Sequence, residues 1–108
     1  MGETWYGFAA YPGTRELCTQ FVLGTRREEL HWRSFATTDA PDRVAAFYRK
    51  KEPGSEIKGG ASITLRHGED TTLEVYPASA GGYPTCDQKP GPQDKSVIVA
   101  TNLVSRGR

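Results

Sequence analysis

The sequence predicts an α+β two-layer sandwich of order ββαβββ, a mostly antiparallel sheet with one helix on a face. Three observations lead there. Two pairs of segments alternate with strand period around short turns, one amphipathic helix lies between the pairs, and a last segment is apolar on both parities.

In the first pair, Leu17, Thr19, Phe21 and Leu23 alternate with Cys18, Gln20 and Val22. Gly24 to Arg27 then supply a turn, and Leu30, Trp32 and Ala36 share one parity of the stretch from Leu30 to Thr37. This is a β-hairpin that runs directly into the helix.

Thr37 to Lys51 (TTDAPDRVAAFYRKK) carries a start signal, an amphipathic period and a basic end together. Asp39 is placed to accept backbone hydrogen bonds at the helix start, Asp42 follows three residues on, and Pro41 falls in the first turn, where a missing N–H costs little. Pro41, Val44, Phe47 and Tyr48 recur at helical spacing as one apolar stripe. Arg49, Lys50 and Lys51 complement the negative pole before Pro53 and Gly54 end the helix.

After the helix, Ala61, Ile63 and Leu65 alternate with Ser62, Thr64 and Arg66, His67 to Asp70 turn, and Leu73 and Val75 return opposite Thr72, Glu74 and Tyr76. The last strand, Ser96 to Leu103, has Val97, Ile98 and Val99 in succession, as expected of an inner strand with one face against the helix and the other partly covered. Between these elements Pro77 to Lys95 is too long and too rich in Pro and Gly for a simple hairpin loop.

At 108 residues the chain is a single globular domain, residues 1–108, with no internal repeat or linker. Lys and Arg number 14 against 13 Asp and Glu, and no basic stripe is interleaved with aromatics, which argues against nucleic acid as a partner. No apolar run approaches a membrane span. Met1 to Ala10 lacks the basic region and apolar core of a secretory signal, so as given the chain reads as cytoplasmic; Met1-Gly2 fits equally a start fused to a mature domain.

Chemistry at motif strength is absent, so no catalytic residue, cofactor or metal site is expected. Cys18 and Cys86 stand without a CxxC spacing or a nearby His, which disfavours zinc and leaves two readings, a disulfide or two unpaired thiols. His31 and His67 have no metal-binding spacing, and both are expected at the surface, His31 beside Trp32 and His67 at the start of a turn. The glycine-rich Lys58 to Ser62 precedes a strand, the reverse of a phosphate loop, and reads as a turn.

The N-terminal aromatics Trp5, Tyr6, Phe8 and Tyr11, with Tyr83 in the long loop, either pin the chain end across the sheet or form a contact patch. If exposed beside Arg26 and Arg27, they match the residue types that carry binding energy at protein interfaces. Trp5, Tyr6, Tyr11, Arg26, Arg27 and Tyr83 are therefore the candidate binding residues.

Tyr11-Pro12-Gly13, then Thr38-Asp39-Ala40-Pro41, Val44 and Phe47-Tyr48-Arg49, followed by a hairpin and a final strand, form a pattern of the type YPG…TxDxPxxVxxFYR. In this the chain resembles small bacterial envelope-associated domains of unknown function that often lie behind lipoprotein signals. The resemblance implies the fold and an extracytoplasmic, periplasmic or envelope, setting; it carries no catalytic residues.

The expected function is thus a non-enzymatic binding or structural module of the bacterial envelope, with another protein as the candidate partner. The alternatives are a cytoplasmic inhibitor or immunity-type protein bound to one partner, and a small thiol or hydrolytic enzyme using Cys18 or His31.

Overall fold

The computed structural model describes residues 3–24, 28–58, 62–80 and 88–105, with the side chains of residues 19–23 and 105 left out of the account. Its elements are β1 (Thr4–Trp5), β2 (Phe8–Ala9), β3 (Arg15–Gly24), β4 (Glu28–Thr37), α1 (Pro41–Lys51), β5 (Glu56–Ile57), β6 (Ile63–His67), β7 (Thr71–Pro77) and β8 (Ser96–Ser105). Six strands form one sheet of order β3-β4-β8-β7-β6-β5, every neighbouring pair antiparallel, and β1 and β2 form a separate two-stranded hairpin. One helix on an antiparallel sheet is the α+β class expected. The structure adds three two-residue strands, β1, β2 and β5, which are too short to leave a periodicity.

The last strand is inner, as its double-sided apolar run demands. β8 lies between β4 and β7, and Val97, Ile98, Val99 and Ala100 are all buried. Alternation then sorts the side chains into two cores. On the helix side Phe35, Ile98, Ala100, Leu73, Val75, Ile63 and Leu65 meet Val44, Ala45 and Tyr48 of the helix and Trp5, Phe8 and Tyr11 of the N-terminal segment. On the opposite face Leu17, Ala36, Val97 and Val99 form a smaller core with Tyr76 and Ala78 against it.

The helix keeps its expected length, and Glu52 closes it by donating its backbone N–H to the Tyr48 carbonyl. Its start differs from expectation. Ala40, not Asp39, is the N-cap, with extended backbone and no side-chain cap. The Asp39 carboxylate instead accepts the Tyr11 hydroxyl, and its carbonyl accepts the Ser96 hydroxyl. Asp39 ties the N-terminal segment and β8 to the helix entry, a tertiary role that local spacing does not reveal.

The base of the long connection between β7 and β8 is pinned on both sides. Ala78 N–H donates to the Lys95 carbonyl, Lys95 N–H to the Thr37 carbonyl, and Arg15 pairs with Asp94 at 2.8 Å.

Candidate functional site

The N-terminal hairpin and the helix share the cover of one sheet face, and their limits define the site. Tyr6 and Gly7 link β1 to β2, both with positive φ, 53° and 92°, which permits the two-residue turn. The turn brings Trp5 flat onto Phe35, with ring centroids 3.7 Å apart, and Phe8 onto His67 at 4.0 Å. Ala9 is held on both sides, its N–H donating to Glu52 Oε2 at 2.9 Å and its carbonyl accepting the Tyr48 hydroxyl at 2.7 Å.

Along this face the sheet register sets three successive cross-strand rows. The first, Phe35, Ile98, Val75 and Ile63, is wholly apolar and buried. The second is Arg33, Ala100, Leu73 and Leu65, apolar except for its β4 member. The third is polar throughout: His31, Asn102, Thr71 and His67, side by side on β4, β8, β7 and β6. All four side chains are half-buried. The adjoining strands place them on a shelf roughly 14 Å long, three strand spacings.

Each histidine of the shelf, and Arg33 beside it, has a carboxylate partner. Arg33 donates Nε and Nη2 to Glu16 Oε2 and Oε1 at 2.9 and 3.1 Å, with Glu3 3.7 Å away, and its guanidinium lies over the Phe35 ring. The Glu16 hydrogen bonds are the main cause that raises the Arg33 pKa. His31 Nε2 lies 3.0 Å from Glu29 Oε1, and His67 Nε2 lies 3.0 Å from Glu52 Oε1. In the middle Thr71 Oγ1 donates to Asn102 Oδ1 at 3.0 Å, which leaves the Asn102 amide N–H groups as donors. The imidazoles keep 21% and 34% of their side-chain surface, His31 and His67 respectively.

Neither histidine is therefore the plain surface residue expected. His67 is the last residue of β6 rather than part of the turn, and a ring stack and an ion pair hold it. His31 alternates with Arg33 and Phe35 onto the helix side.

Of the candidate binding residues, Trp5 and Tyr11 are core side chains, 1% and 6% exposed, and cannot offer ring faces to a partner. The physical reason is the hairpin, which turns the apolar N-terminus into the second half of the helix layer. Tyr6 is half-buried; its hydroxyl is buried without a hydrogen-bond partner, and burial is the main cause raising its pKa. Arg26, Arg27 and Tyr83 lie outside the described residues, as does Cys86, the expected partner of Cys18.

Cys18 is buried opposite Ser34, on the face away from the helix, and no cysteine among the described residues is a free thiol. Cys18 and His31 point to opposite faces of the sheet, so the structure does not bring that pair together. Among the described residues no group of three His, Cys, Asp or Glu is arranged to hold a metal ion, and no helix is long and apolar enough to cross a membrane.

A cleft of about 360 Å³ separates the hairpin from the helix, lined mainly by Ala9, Ala10, Pro12 and Phe47 together with Glu3 and Lys51. Its lining is more apolar than the shelf, although Glu3, Thr4 and Lys51 also line it. Arg33, Thr71 and Asn102 are the functional candidates that reading the chain missed, because a cross-strand row exists only once four strands are in register.

No protein-family model matches the chain, and neither a curated protein nor a solved structure matches it.

Proposed function

We propose that the domain is a non-enzymatic binding module of the bacterial envelope whose contact site is the polar shelf of His31, Asn102, Thr71 and His67. The observation that supports this is the way the shelf is built. Four hydrogen-bonding side chains stand on adjoining strands, half-open to solvent, and two of them, His31 and His67, together with the neighbouring Arg33, are pre-oriented by carboxylates. Such groups lose little rotamer freedom when a ligand arrives, which is what lets modest contacts yield net affinity.

The envelope part rests on the YPG…TxDxPxxVxxFYR pattern and on Cys18, which is buried and not free. A disulfide from Cys18 to Cys86 suits an oxidising compartment. Intact mass of protein from its native source, alkylated before and after reduction, tests it. Alkylation only after reduction is expected; two thiols alkylated at once would overturn the envelope assignment.

For the binding part, amide spectra of the ¹⁵N-labelled domain are recorded as an envelope extract is added. Shifts centred on His31, Arg33, Thr71 and Asn102, with the extract components recovered chemically unchanged, are expected. Shifts confined to the Phe47 cleft, no shifts, or conversion of an extract component would each overturn the reading.

A further inference from the structure

The shelf also carries information about what it binds, and this step rests on the binding-module reading above. We infer that its ligand is a short, uncharged oligosaccharide lying across the strands from His31 to His67.

Charge is the first argument. An anion approaching Arg33, His31 or His67 meets Glu16, Glu29 or Glu52 already in hydrogen-bond contact with each of them. A cation approaching the same carboxylates meets the basic partners. A neutral ligand suffers neither opposition, and burying an unpaired charge here would be costly.

Hydrogen-bonding capacity is the second. With Thr71 Oγ1 donating to Asn102 Oδ1, the pair still offers amide N–H donors on one side and hydroxyl lone pairs on the other. When each imidazole is neutral and donates Nε2–H to its glutamate, Nδ1 is left as an acceptor. The row therefore presents a donor at Asn102 and acceptors at His31, Thr71 and His67, on side chains already held by hydrogen bonds. A hydroxyl both donates and accepts, so a chain of sugar hydroxyls can satisfy such a row.

Shape is the third. The shelf runs across four adjoining strands, roughly 14 Å, bounded along the second row by Arg33 and at the His67 end by the Tyr6-Gly7 turn. A Cβ added at Gly7 would stand 3.9 Å from His67 Nδ1, so the turn passes close beside that imidazole. The row is four strands long and one residue wide, which suits a linear ligand.

The test is titration of the ¹⁵N-labelled full chain with neutral soluble tetrasaccharides of glucose and of N-acetylglucosamine, beside a sulfated tetrasaccharide and an oligo-glutamate peptide. Saturable shifts at His31, Thr71, Asn102 and His67 with a neutral sugar are expected. Asn102→Ala and Thr71→Val, each keeping the wild-type melting temperature within a few degrees, should weaken that binding about tenfold. Lys50→Ala, on the exposed helix surface, should leave it unchanged.

Shifts with the sulfated sugar or the acidic peptide alone would overturn the inference. So would the absence of saturable shifts with every neutral sugar at millimolar concentration, or variants that bind as wild type. If the envelope extract perturbs the shelf while the neutral sugars do not, the oligosaccharide inference falls and the binding-module reading stands.

Discussion

Residues buried far from their expected places make the sharpest tests. Trp5 was a candidate contact residue, yet it is stacked on Phe35 and almost completely enclosed. Trp5→Ala removes a core aromatic and should cost about 3–5 kcal/mol in urea unfolding, enough to unfold much of a small domain. A loss below about 1 kcal/mol would mean that the ring is peripheral. The tyrosines give a pH test. Tyr11, buried and bonded to Asp39, and Tyr76, half-buried and donating to Glu74, have phenol pKa values pushed from 10.0 up to about 12, chiefly by burial. Tyr48 is raised as well, again chiefly by burial. The folded state thus holds these protons more tightly than the unfolded chain. The stability they contribute is complete below pH 10 and is lost as pH climbs through about 12. Absorbance of tyrosinate at 295 nm should rise later in the native protein than in urea-unfolded protein; superimposable curves would contradict the raised phenol pKa values.

At the scale of elements, the long ones were legible because their burial follows a period. The helix stripe, the two hairpins and the double-sided β8 each repeat an apolar pattern often enough to be read before folding. Short elements were not. The Tyr6-Gly7 turn lacks the Asn-Gly or Asp-Gly dipeptide that announces such hairpins, and a bulky residue at φ 53° is tolerated only because tertiary packing holds it. The helix start shows the same limit from the other side. Asp39 has the chemistry of a cap but is drawn away to Tyr11, which leaves Ala40 as an N-cap that bonds nothing through its side chain. Because Ala40 already has the extended backbone of a cap, φ −69° and ψ 155°, Ala40→Asp should supply the missing hydrogen bond without rearrangement. A gain of about 1 kcal/mol in the urea midpoint is expected, and no gain would show that the first-turn N–H groups are already satisfied. Asp39→Ala, by contrast, should lose stability with no change in helical circular dichroism per folded molecule.

At the scale of the whole molecule, one sheet face has two covers, and Glu52 and Tyr48 join them to each other. Glu52 closes the helix through its backbone, accepts Ala9 N–H from the hairpin through Oε2, and meets His67 of β6 through Oε1. Tyr48, four residues earlier on the helix, takes the other side of the same hairpin residue by donating to the Ala9 carbonyl. None of this could be read along the chain, since Ala9, Glu52 and His67 share no periodic pattern and meet only when three elements converge. The arrangement implies that the hairpin unfolds with the helix and not before it, because its rings and the helix stripe occupy one core. Native-state hydrogen exchange tests this. In the wild type the Ala9 amide should exchange with the same free energy as the core amides of Tyr48 and Ile98. Glu52→Ala leaves that N–H without its acceptor and should cost about 1–3 kcal/mol, and Glu52→Gln, which keeps an acceptor oxygen, should cost less. Combining Glu52→Ala with Tyr48→Phe should cost an amount different from the sum, since both changes release the same peptide. In that double variant Ala9 should exchange ahead of Ile98, as the hairpin separates from the fold. Wild-type protein in which Ala9 already exchanges orders of magnitude faster than Ile98 would show instead that the hairpin is an independent flap, and that the shelf beside it has a movable wall.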